Sequence, residues 1–142
     1  MVDDLIASTD IHDLYGFVAS EAKEIIGCIF FSRLTFESDI RAFLLSPVAI
    51  HTNFQRKGIG QKLINFGLNA LKADGVELVF TYGDPNYYCK VGFSPITEEL
   101  IKAPLKLSYP AGWLAQSLVS SEIPSIPGNS RCVAAFNKPK IW

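Results

Sequence analysis

One segment of the chain leaves little freedom in how it folds. An apolar run, Phe43 to Ile50, leads into Gln55-Arg56-Lys57-Gly58-Ile59-Gly60, and a long amphipathic stretch from Ile59 to Ala73 follows. Ile59, Leu63, Phe66 and Ala70 make one apolar row, and Ile64, Leu68 and Leu71 the row beside it. Gln61, Lys62, Asn65, Asn69 and Lys72 line the opposite face, the signature of a helix lying on a core. Asp74-Gly75 ends the helix, with Gly75 suited to the left-handed position past its last turn. Gly67 in mid-helix costs about 1 kcal/mol against alanine, so close packing is expected to demand it. Val76 to Tyr82 then reads as a buried strand. Strand, helix, strand in this order predicts parallel pairing through a right-handed crossover.

The turn that opens the helix has its own chemistry. First-turn backbone N–H groups lack partners, and the helix dipole adds partial positive charge there. Gly58 and Gly60 carry no Cβ, so a diphosphate can approach the main chain closely, with Arg56 and Lys57 beside it. The Gly-Lys-Ser/Thr tripeptide of a Walker A loop is absent, which argues against nucleotide triphosphate hydrolysis. A dinucleotide fingerprint is a rival reading, with Glu77 near the place of the ribose-binding acid. Leu63 stands where its third glycine belongs.

The pattern Q-x-x-G-x-G after the strand Val48-Ala49-Ile50-His51 resembles the acyl-CoA-binding motif of the GNAT superfamily of N-acetyltransferases. Downstream, Gly83-Asp84-Pro85-Asn86-Tyr87-Tyr88-Cys89-Lys90-Val91-Gly92-Phe93 is similar to that family's Tyr-x-x-x-Gly-Phe element, in the branch with G-D-P-x-Y-Y. Two motifs in order are more specific than either alone, and the resemblance covers about residues 1–95. It implies a single α/β domain over residues 1–142, with a mixed, bulged and splayed β-sheet flanked by helices. Ser46-Pro47 fits the family's bulge, because proline cannot donate to a ladder. Thr52 stands where the family often has proline.

The remaining elements read less sharply. Val2 to Ala7 suggests one or two helical turns, and Tyr15–Ser20 and Ile25–Phe36 a hairpin closed at Glu21-Ala22-Lys23-Glu24. Family members usually begin with a further strand and helices, so the domain reads as N-terminally short. A homodimer partner filling that gap and an open acceptor side are the two alternatives. After Phe93 the prolines break the tail into short pieces. Trp113 to Val119 reads as a helical turn or two, and Arg131 to Asn137 as a last strand.

Composition narrows the partners. At 49% apolar and 19% charged, the 142 residues make one globular domain. A net charge of −1 argues against nucleic acid as the main partner. No apolar run reaches the ~18 residues a membrane-spanning helix needs, and Asp3 and Asp4 replace the basic start of a signal peptide. No membrane partner and a cytoplasmic location are therefore expected. Cys28, Cys89 and Cys132 lack metal-ligand spacing, so no metal site is expected and all three read as buried, inert thiols.

The resemblance also implies site roles. The main chain of Val48 and Ile50 would pair with the pantetheine of acetyl-CoA, the acetyl donor. Gln55, Arg56, Lys57, Gly58, Ile59 and Gly60 would cradle its pyrophosphate. Tyr88, four residues before Gly92, would be the general acid, with Tyr87 turned away into packing. Asn86 either contacts CoA or caps the short helix after Pro85. Glu37, Asp39, His51 and Asp84 are all possible general bases, and water can serve instead. His51 reads best as bonding only to its loop, and Trp113 as core rather than acceptor-pocket lining. The implied activity is direct acetyl transfer to an amine, on a small molecule or a peptide. A CoA-binding module without catalysis and a dinucleotide-binding fragment are the alternatives.

Overall fold

In the computed structural model, which describes residues 1–142, helix α1 (Val2–Ser8) leads into strand β1 (Leu14–Glu21). Ala22 and Lys23 both have positive φ, the requirement of a tight hairpin turn, and return the chain as β2 (Glu24–Leu34). β2 pairs antiparallel with β3 (Ala42–Ile50). Helix α2 (Ile59–Ala73) crosses to β4 (Leu78–Tyr82), which lies parallel to β3, as the strand–helix–strand reading expects. The short helix α3 (Pro85–Tyr88) and β5 (Ser94–Pro95) follow, then β6 (Trp113–Ser117). The sheet order is β1-β2-β3-β4-β6-β5. No helix is long and apolar enough to cross a membrane.

The sheet carries a core on each face. Beneath α2, Ile29, Phe31, Phe43 and Leu45 of the sheet meet Leu63, Ile64, Leu68 and Leu71 of the helix. The other face is covered by Leu5 of α1 and by the tail, through Ile101, Leu107, Phe136 and Trp142, packed against Leu34, Leu44, Phe80 and Trp113. The end of α2 closes as the sequence predicts. Val76 N–H donates to Leu71 O and Gly75 N–H to Lys72 O, with Gly75 at φ +87°.

Several expectations fail, each for a physical reason. Phe66 does not belong to the buried face of α2 and is 65% exposed. The inward face is instead Gly60, Leu63, Ile64, Gly67, Leu68 and Leu71, so two glycines outside the expected apolar rows lie on it. Trp113 to Val119 is not helical. Its first five residues are strand β6, hydrogen-bonded between β4 and β5. Arg131 to Asn137 is not a strand either. It makes one bridge, Thr35↔Arg131, and then a 3₁₀ turn at Ala134–Phe136. Cys89 is exposed, and Cys28 and Cys132 are only partly buried.

Candidate active site

The site begins with a mismatch between strands. Ile29 faces Val48 and Phe31 faces Leu45, so β3 holds one residue more than β2 over this stretch, and Ser46-Pro47 is the bulge. Parallel pairing with β4 runs from Ala42↔Leu78 to Leu45↔Thr81 and stops there. Beyond that fork, Ser46 to Ile50 has no partner in β4. The Thr81 hydroxyl donates to Leu45 O at 3.0 Å, a buried bond that pins the two strands where they part.

Past Ile50 the chain makes a 3₁₀ turn (Thr52–Phe54) and then enters α2. The Gln55 side chain reaches back to donate to Ile50 O at 3.1 Å, tying the turn to the strand end. Arg56 (φ +65°) and Gly58 (φ +77°) take left-handed conformations, and no side chain caps the helix. The first-turn N–H groups of α2 are thus left for solvent or a ligand. A cavity of about 550 Å³ opens here, lined by Val48, Ile50, Phe54, Gln55, Arg56, Gly58, Ile59, Gly60, Gln61, Tyr87, Tyr88 and Lys90. It holds two cationic side chains and no carboxylate. Such a lining suits an anion joined to an apolar arm.

The structure therefore brings together Val48, Ile50, Gln55, Arg56, Gly58, Ile59, Gly60 and Tyr88. Lys57 lies on the same turn but outside the lining, its ammonium 5.5 Å from the Phe54 ring centroid. Asn86 is exposed and off the cavity, and the cap of α3 is Asp84, whose carboxylate accepts from Asn86 N–H at 2.9 Å. Tyr87 packs against the core beneath α2, as expected, but is not turned away from the site. It lines the cavity edge-on to Tyr88, with ring centroids 5.1 Å apart. Phe54, Gln61, Tyr87 and Lys90 were missed by sequence reasoning. Lys90 sits inside the second motif, where its charge was the available signal.

The remaining candidates fall away from the cavity. His51 Nδ1 accepts from Asn53 N–H at 3.2 Å, so it serves its loop. Asp84 is engaged as a helix cap, and neither Glu37 nor Asp39 lines the cavity. Glu77 accepts from Arg41 N–H at 2.8 Å, a structural task that removes it as a ribose-binding acid. Trp113 is fully buried, and its indole N–H donates to Ile101 O at 3.0 Å. Burial raises the Tyr88 phenol above its ordinary value. Tyr87 and Asp84 push the same way, and the Thr81 hydroxyl pulls against them.

A mixed sheet that is bulged and splays beside an uncapped helix turn defines an α/β domain with a cleft at the fork, and comparison places it in a family. The family profile "Acetyltransferase (GNAT) domain" matches residues 12–95. The chain belongs to the GNAT acetyltransferase family. The uncharacterized N-acetyltransferase YjhQ of Escherichia coli (strain K12) is 27% identical, over 93% of this chain and 76% of that protein. A GNAT acetyltransferase from Brucella melitensis in complex with acetyl-CoA superposes with TM-score 0.72 at 28% identity, covering 95% of this chain and 75% of that one. The fold is also that of E. coli YhbS in complex with CoA, with TM-score 0.81 and 23% identity over 96% and 76% of the two chains.

Proposed function

We propose that this protein transfers an acetyl group from acetyl-CoA directly to a primary amine. The observation that carries this reading is the cavity itself. It joins the end of β3 that β4 leaves without a partner to the uncapped N-terminus of α2, with Arg56 and Lys90 in its wall. The related Brucella melitensis structure holds acetyl-CoA, which supports that donor. In this reading the main chain of Val48 and Ile50 lies along the pantetheine arm, and the turn Arg56–Gly60 receives the diphosphate. Placing amine and thioester in one slot supplies much of the rate by proximity. Tyr88 remains a neutral phenol at physiological pH and gives its proton to the departing thiolate. With the carboxylates engaged or distant, water carries away the proton of the attacking amine. The acceptor class is a small-molecule or peptide amine.

Titration with acetyl-CoA, with NAD as control, tests the donor site; micromolar binding of acetyl-CoA and none of NAD is the expected result. Thiol release in the presence of a panel of amines tests turnover. Tyr88→Phe should slow turnover roughly 10²–10⁴-fold and leave acetyl-CoA affinity unchanged. A phenol held above the ordinary value of about 10 is lost as an acid only when pH rises past its raised value. Wild-type turnover should therefore fall only beyond that point, and the Phe variant should lack this alkaline limb. Equal turnover in the two proteins would remove Tyr88 as the acid.

A further inference from the structure

Tyr87 sits at the mouth of α2 in a way that fixes the residue opposite it. Its ring packs with the core beneath the helix, and an ideal Cβ built on Gly60 would overlap the Tyr87 hydroxyl deep inside contact distance. The phenol oxygen thus fills the space a side chain would hold at the second residue of α2. That is where the first-turn N–H groups are open. Tyr15 and Tyr82 use their hydroxyls inside the protein, on Asp74 and on Ser108 and Tyr109 N–H. Tyr87 has no such partner and faces the cavity. Successive residues of a helix point about 100° apart. Tyr88 accordingly goes to the fork at Thr81 while Tyr87 goes to the helix end. Burial raises the Tyr87 phenol, so it is a donor throughout the neutral range.

Resting on the acetyl-CoA reading above, we propose that the Tyr87 hydroxyl is a cofactor-binding group that donates to the diphosphate of the acyl donor. Position 60 must then be glycine to admit it. The pair Tyr87-Tyr88 divides the substrate between its members, the first holding the anionic end and the second serving the thioester. A neutral donor is well placed for this, because Arg56 and Lys90 already supply charge and no carboxylate competes for the hydroxyl.

The test compares acetyl-CoA with S-acetylpantetheine, which has the same thioester arm and no diphosphate. Tyr87→Phe keeps the ring and should weaken acetyl-CoA binding roughly tenfold, with a clearly smaller loss in kcat/KM for S-acetylpantetheine. An unchanged acetyl-CoA affinity, or equal losses with both donors, overturns the proposal, because packing alone would affect both alike. Gly60→Ala should also lose acetyl-CoA affinity, and Gly60→Ala/Tyr87→Phe should be no worse than Tyr87→Phe, since the shorter ring clears the methyl. Strictly additive losses overturn the assigned pairing. If Gly60→Ala does not fold, the Phe variant still decides. Failure of the wild-type protein to bind acetyl-CoA would instead sink the donor reading itself.

Discussion

Thr81 shows how a single hydroxyl shapes the slot. It is fully buried at the last β3–β4 pair, and its bond to Leu45 O closes the ladder where the strands part. Thr81→Val keeps the shape and deletes the donor, leaving a buried carbonyl short of a partner. That change should cost about 1–3 kcal/mol. At roughly 2–4 °C per kcal/mol for a domain near this size, calorimetry should show Tm lower by several degrees. An unchanged Tm would mean the fork is held by the strands alone. At this scale the turn was legible from sequence, because Gln55, Gly58 and Gly60 stand in one short pattern whose backbone demands are local. Tyr87 and Lys90 were not, since only the packing of the 3₁₀ turn Cys89–Val91, which continues α3, against α2 brings them to the same cavity.

The elements were legible where local pattern and tertiary role coincide. β1 to β4 and α2 meet that condition, with Gly75 in the left-handed position that ends α2. Strand β6 does not. Trp113, Leu114 and Ala115 are all fully buried between two neighbouring strands, so the alternation that marks a half-exposed strand is absent. In α2 the misplaced Phe66 has the opposite cause, because the glycines at the core contribute nothing to an apolar row. Gly67 makes this testable. An ideal Cβ there would lie 2.6 Å from Phe31 Cε1 and 3.2 Å from Ile29 Cδ1, both on fully buried side chains. Alanine gains about 1 kcal/mol of helix propensity, but crowding a packed core costs about 1–3 kcal/mol. Gly67→Ala should therefore lower stability in denaturant melts. In a Phe31→Leu background, where the crowding ring is gone, the same substitution should be neutral or stabilising. A gain in the wild-type background would show that the helix can lift off the sheet freely.

For the molecule as a whole, charge is placed rather than accumulated. The chain carries a net charge of −1, yet Arg56, Lys57 and Lys90 gather around the α2 turn, and the cavity wall has no carboxylate. A multiply anionic donor should then feel a local attraction that the net charge does not reveal. These three side chains are exposed, so salt screens them, with a Debye length of about 8 Å at physiological ionic strength and about 3 Å at 1 M. Raising salt from about 0.02 M to 0.5 M should weaken acetyl-CoA binding by roughly three- to tenfold. Binding of S-acetylpantetheine, which lacks the phosphates, should hardly change. Lys90→Ala should reduce the salt dependence as well as the affinity, because it removes one of the charges being screened. If acetyl-CoA binds equally well at both salt concentrations, the cations stand apart from the ligand. The backbone of the α2 turn and its neighbouring hydroxyl must then hold the diphosphate without them.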